Sequence, residues 1–311
     1  MAVAPDILQE LLTESGGRYA TKSLDQAYAF CGRMAASHYE NFPVASRLLR
    51  RDVRPHIAAV YAFARLADDI ADELAADAGT KERLLRGLLD MLRTGGTSTH
   101  PVVQAAWNTM ERCALPHTLP ERLVRAFTMD SGFRQPESWE NVRAYCRLSA
   151  DPIGETVLRI HGISDAQVIA MSDDVCTALQ LVNFWQDQSV DHARGRCYVP
   201  RDLCVLHGLR YAEGSLQSTA AEAPETFTER LCSLYDTLFR RTRDLLASGP
   251  PLLAALDERR LRAEIALVLA SAGRMLDRCS RLHSELLHIR PSLGIGDVPV
   301  IVLRAIPSYF A

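Results

Sequence analysis

The sequence predicts an all-α fold, a bundle of about ten helices around one cavity, and two observations carry that reading. Apolar residues recur at spacings of three and four rather than two, and clusters of β-branched residues are short. Helical stretches are expected from Asp25 to Glu40, Arg54 to Leu74, Lys81 to Arg93, Pro101 to Arg112, Pro120 to Asp130 and Ser138 to Ser149. Further stretches are expected from Pro152 to His161, Asp165 to Asp191, Pro224 to Ala247 and Glu258 to His288. Breaks fall at Gly16-Gly17, Gly95-Gly96, Asp151-Pro152, Glu213 to Pro224, Gly249-Pro250-Pro251 and Pro291 to Gly296. None is long enough for an interdomain linker and no fixed-period repeat appears, so one domain over residues 1–311 is expected.

With 48% hydrophobic and 23% charged residues, the chain has the composition of a globular protein with a large core, which excludes disorder and a small disulfide scaffold. The formal charge of -3 argues against a nucleic-acid partner, since neutralising a phosphate backbone needs the opposite bias. Lys22 and Lys81 are the lysines and arginine supplies the other basic residues, a bias that suits phosphate but also follows from a GC-rich genome. The eight cysteines form no C-x-x-C pair and read as reduced, mostly buried thiols of a cytoplasmic protein. The start has no secretory signal, and no apolar run approaches the ~18 residues of a membrane span. The apolar C-terminal DVPVIVLRAIPSYFA is read either as a last helix packed on the body or as a segment lying against a membrane.

Two stripes carry the chemistry. In VYAFARLADDIADE, Tyr61, Arg65, Asp68 and Asp72 fall at spacings of four, three and four, on one helical face. Taken alone, DDIADE also reads as a solvated acidic turn, but the apolar flanks favour a stripe that points into a cavity. Gln180, Asn183, Asp187, Asp191 and Arg194 repeat the arrangement at three, four, four and three. Oxygen ligands without Cys or His suit Mg2+ or Mn2+, with substrate phosphate completing the shell. A di-iron bundle wants two E-x-x-H motifs, and the one here, Glu285 to His288, reads better as the wet face of a C-terminal helix. Two such helices facing each other across an apolar cavity would pull diphosphate from an allylic substrate, as in prenyl transfer or terpenoid cyclisation.

YAFARLADDIAD and QLVNFWQDQSVDHARGRCYVP resemble the squalene and phytoene synthase family over nearly the whole chain, from about Tyr28 to Arg290. The resemblance implies an all-α isoprenoid synthase fold joining prenyl diphosphates head to head. It implies Asp68 and Asp72 as one set of magnesium ligands, and Asp187 and Asp191 with Asn183 as the other. Tyr61 and Arg65 match positions lining the diphosphate and reaction centre, and Arg290 matches a phosphate-contacting arginine. The loop Gly195-Arg196-x-Tyr198-x-Pro200 matches the one after the second motif. Gln180, Arg194, Arg196, Tyr198 and Tyr145 are accordingly expected at the substrate.

The departures choose within the family. Where relatives often show His-Ser-x-Ser-Phe, this chain has His38-Tyr39-Glu40-Asn41-Phe42-Pro43, so two hydroxyls of a first diphosphate site are gone and His38 and Asn41 remain as substrate-binding candidates. Arg147 replaces a cavity tyrosine, Gly273 falls at another tyrosine position, and Val190 replaces a frequent acid. ENFPVAS, NFWQD and RPHIAAVYAFARLADDIADE resemble the bacterial hydroxysqualene synthases of hopanoid biosynthesis. That resemblance implies ionisation of presqualene diphosphate and capture of the cation by water, with Arg147 a candidate to order the diphosphate and that water. Head-to-head synthesis of presqualene diphosphate, squalene or a phytoene-type product and a non-catalytic prenyl-diphosphate-binding paralogue are the alternatives. Peripheral membrane contact and pathway enzymes are the other partners expected.

Overall fold

A computed structural model describes residues 5–37, 48–221 and 223–310. His38 and Asn41 lie outside the described residues. In chain order the helices are α1 (Pro5–Leu11), α2 (Leu24–Ser37), α3 (Arg54–Asp72), α4 (Ala78–Arg93), α5 (Pro101–Arg112), α6 (Thr118–Asp130), α7 (Trp139–Ser149) and α8 (Asp151–Ile160). They continue as α9 (Ala166–Gln186), α10 (Gln188–Ala193), α11 (Arg201–Leu206), α12 (Pro224–Leu246), α13 (Gly249–Ala254), α14 (Arg259–Leu282) and α15 (Val298–Phe310). The all-α expectation holds, with one antiparallel hairpin among the described residues, β1 (Leu209–Ala212) with β2 (Ser215–Ser218). The hairpin went unread because its strands are four residues each. Its signal is the Glu213-Gly214 turn, where both residues take positive φ (52° and 77°) as a two-residue type I′ connection requires.

The chain divides into two compact units, Met1–Gly132 with Pro152–Ile169, and Phe133–Asp151 with Ala170–Ala311. In the first, α3 packs against α2 and α5. Its buried face is built largely from Ala58, Ala59, Ala62, Ala67 and Ala71, with Phe63, Leu66 and Ile70 filling the space that alanines leave. Pro55, at the start of α3, lacks the N–H that a helix start leaves unpaired.

His100 caps α5 with its ring fully buried. Nδ1 accepts from the Val103 N–H at 3.3 Å, so Nε2 carries the proton and donates to the Leu11 carbonyl at 2.9 Å. A second proton would have to enter at Nδ1 and break the cap, and burial lowers the pKa of the imidazole from 6.5. The cap's contribution is therefore complete above the unfolded value of about 6.5 and is lost as pH falls below it. Thermal melts between pH 7.5 and 5 are expected to show a shallower pH dependence for His100→Asn, which keeps a capping side chain, than for the native chain.

In the second unit α9 runs through a core of Leu181, Phe184, Trp185, Leu234, Tyr235 and Phe239. The Trp185 indole N–H donates to Thr242 Oγ1 at 2.9 Å, so this buried ring has its polar edge satisfied. The C-terminal segment forms α15, packed on α14 as a last helix. Buried Asp297 secures it, accepting from the Gly294 N–H at 2.8 Å, Arg274 Nε at 2.8 Å and an Arg278 guanidinium N–H at 2.7 Å. Those donors hold its carboxyl down at about 2. The outer face of α15 leaves Val298, Val302, Leu303 and Ile306 exposed, and no described helix is long and apolar enough to cross a membrane.

Two expected helices are shorter than their periodicity suggests. The stretch from Asp165 to Asp191 breaks at Asp187 (φ -96°, ψ 10°), because the Phe184 carbonyl accepts from the Gln188 side-chain amide at 3.2 Å. The stretch ending at His288 stops at Leu282, where His283 takes φ 44° and pairs through Nε2 with Asp236 at 3.0 Å. A 3-10 turn follows over His283–Leu287, with Glu285 exposed on it and His288 exposed just after it rather than on a helix face.

Candidate active site

The first motif lies on α3. Arg65 is 12% exposed and reaches Asp68 at 3.4 Å and Asp69 at 2.6 Å. The stripe of Tyr61, Arg65, Asp68 and Asp72 stays on one helical face and all four are half-buried. Asp69, absent from the expected site, is fully buried and takes the shorter bond from Arg65. Of the adjacent aspartates, Asp69 is buried against Arg65 while Asp68 is 39% exposed. The signal in the sequence was the i to i+4 spacing from Arg65 to Asp69. An apolar cleft lined by Val60, Phe63, Met110, Leu119, Leu123 and Thr156 lies in the same unit. At about 100° per residue, Val60 and Phe63 turn away from the acidic stripe, so this cleft is behind the motif.

The second motif spans the junction of α9 and α10. Despite the break, the Asp187 N–H donates to the Asn183 carbonyl at 2.9 Å and the Asp191 N–H to the Asp187 carbonyl at 2.8 Å. This keeps Asn183, Asp187 and Asp191 one above another. The turn is closed by Gly195 at φ 73°, which lets the Arg196 N–H return to the Asp191 carbonyl at 2.8 Å and the Gly195 N–H to the His192 carbonyl at 3.0 Å. That is the paired closure of a helix C-terminus, and it fixes the start of the loop carrying Arg196 and Tyr198. Arg194, exposed, caps α10.

Arg290 clasps Asp187 with both arms, Nε to Oδ1 at 2.6 Å and a terminal N–H to Oδ2 at 3.2 Å. The pairing raises the Arg290 pKa. Gln186, 2% exposed, donates to the Pro291 carbonyl at 3.0 Å and ties the backbone beside Arg290 to the end of α9. Neither tether was legible, since 103 residues separate Arg290 from Asp187.

The other expected site residues are distributed within the second unit. Tyr198 is 8% exposed and stacked on Phe184, ring centroids 3.9 Å apart, with Tyr145 at 5.9 Å from it. These rings belong to or pack on the unit's core. Gln180 is half-buried on α9. Arg147 is exposed on α7 and bound to Glu140 at 2.6 Å. Apart from its own helix backbone and chain neighbours, nothing lies within 4 Å of where a Cβ on Gly273 would stand. All eight cysteines are free, and burial pushes the Cys31, Cys204 and Cys279 thiols up to about 12, as expected of inert core residues.

Each motif offers partly exposed carboxylates, and no three His, Cys, Asp or Glu among the described residues form a metal-holding group by themselves. All-oxygen donor sets of this kind fit Mg2+ held by one or two carboxylates and completed by phosphate oxygens and water.

The sequence profile of the squalene/phytoene synthase family matches residues 35–296. The chain belongs to that family. Among squalene/phytoene synthase relatives, it is 33% identical to a hydroxysqualene synthase of Zymomonas mobilis over 79% of this chain and 80% of that one. It is 35% identical to a hydroxysqualene synthase of Rhodopseudomonas palustris over 81% of this chain and 84% of that one. Among solved structures, the squalene synthase HpnC from Alicyclobacillus acidocaldarius superposes with a TM-score of 0.74 at 32% identity, covering 84% of this chain and 95% of that one. As a squalene/phytoene synthase family member, the chain is an enzyme of isoprenoid biosynthesis.

Proposed function

We propose that the protein converts presqualene diphosphate and water to hydroxysqualene and diphosphate, with magnesium. The observation that carries this reading is identity of 33% and 35% to two hydroxysqualene synthases over about four fifths of each chain. The absence of both serines of the family pattern between His38 and Phe42 supports it, because an enzyme that ionises one diphosphate does not need a site for two.

In this reading Asp68 and Asp72, and Asp187 and Asp191 with Asn183, are the residues that would hold Mg2+. The chemistry a bound Mg2+ would supply there is neutralisation of charge on the leaving diphosphate. Arg65, Arg194, Arg196 and Arg290 are the candidate donors to phosphate oxygens, with guanidinium geometry suited to paired bonds. Tyr61 stands on the same face as the first carboxylates and lines the reaction centre. The carbon–oxygen bond to diphosphate breaks with its electron pair on oxygen, the cyclopropylcarbinyl cation rearranges, and a water oxygen bonds to it while a proton is released. Arg147 orders that water only if it leaves Glu140.

The test is incubation of the purified protein with presqualene diphosphate and Mg2+ in 18O-labelled water without nicotinamide. Mass spectrometry is expected to find hydroxysqualene carrying one solvent oxygen, no product without the metal, and little turnover of farnesyl diphosphate alone. A second reading, squalene formation, is favoured by the likeness to the A. acidocaldarius squalene synthase. Squalene or presqualene diphosphate made efficiently from farnesyl diphosphate, or a product lacking solvent oxygen, would replace the first reading with that broader one.

A further inference from the structure

We infer that Arg290 is the coupling residue of the second motif: it holds Asp187 until a divalent cation takes the carboxylate, and is then handed to the diphosphate. This rests on the proposed reading of Asp187 as a magnesium ligand.

The geometry makes the two cations competitors for one carboxylate. Arg290 engages both Asp187 oxygens, at 2.6 and 3.2 Å, so a metal ion taking a remaining lone pair of either oxygen stands within a few ångströms of a positive guanidinium and repels it from the carboxylate. The pair is also accessible, with side chains 48% and 31% exposed, so an incoming ion can reach it. The Arg290 backbone does not have to move for the exchange. The Pro291 carbonyl is fixed by the buried Gln186 amide at 3.0 Å, and the swing is confined to the guanidinium and its flexible stem.

Displacement without diphosphate leaves Arg290 without its carboxylate beside a dication. Displacement with diphosphate returns its two donors to phosphate oxygens, a geometry a guanidinium fits as well as a carboxylate. Metal and diphosphate therefore favour each other's binding at this motif, and by linkage each raises the other's affinity by the same factor. Metal alone is held weakly, which keeps the second motif unloaded until a substrate bearing diphosphate arrives.

The experiment measures Mn2+ bound to the full chain by equilibrium dialysis and electron paramagnetic resonance, with and without inorganic pyrophosphate. Four proteins are compared: native, Arg290→Gln, Arg290→Lys and Asp187→Asn. Removing the competing charge is expected to tighten binding of Mn2+ alone about tenfold in Arg290→Gln, and to remove most of the strengthening that pyrophosphate gives the native protein. Arg290→Lys keeps the charge and is expected to bind Mn2+ alone as the native chain does, which separates charge competition from a loosened loop. Native-like Mn2+ affinity and native-like pyrophosphate coupling in Arg290→Gln, while Asp187→Asn weakens Mn2+ binding, would overturn the coupling and leave the metal assignment standing. Unchanged Mn2+ binding in Asp187→Asn would remove the metal assignment and the coupling with it.

Discussion

Alanine at Asp68, Asp72, Asp187 or Asp191 is expected to lower kcat/KM about a thousandfold or more while the circular dichroism spectrum and melting temperature stay close to native. Each substitution removes a half-buried carboxylate proposed to position metal against the leaving diphosphate, and none removes core. A thousandfold corresponds to about 4 kcal/mol of transition-state stabilisation, the scale set by each tenfold costing about 1.4 kcal/mol. Two of the four variants retaining near-native rates at saturating Mg2+ would defeat the assignment. The Asp187 variant combines two effects, because its loss also releases Arg290, and added Mg2+ is not expected to restore its rate.

Asp69→Ala is expected to behave in the opposite way, losing stability first. Its carboxylate is fully buried and 2.6 Å from Arg65, itself only 12% exposed, so alanine breaks the buried ion pair of this helix. Breaking a buried pair by removing one partner costs about 3 kcal/mol or more, and a melting temperature lower by roughly 6 to 10 °C is the expected reading by differential scanning calorimetry. Asp68→Ala, one residue away and 39% exposed, is expected to melt within about 2 °C of native. Equal destabilisation by the two substitutions would contradict the division of labour between the neighbouring aspartates. The pair of variants therefore distinguishes a ligand from a counter-ion on the same helix turn.

Most of the architecture was legible because it is written in local periodicity. The helices over 54–72, 101–112 and 139–149 follow from apolar residues at three and four, and their ends from the glycines and prolines that punctuate the chain. The hairpin was not, since four-residue strands carry too little pattern, and the break at Asp187 was not, since it depends on one side-chain amide taking a backbone carbonyl.

By itself the sequence determined the fold class, the two aspartate stripes, the family they belong to and the departures from it at His38 to Pro43, Arg147 and Gly273. These are properties of residue type and spacing along one helix. Only the tertiary structure decided that Arg290 serves Asp187, that Asp69 is the buried one of the two acids Arg65 reaches, and that Arg147 meets Glu140 at the surface. The physical reason is that the strength of an ion pair depends on distance and burial. At Asp187 the partners are separated by 103 residues and brought together only when the turn after α14 is tied to the end of α9.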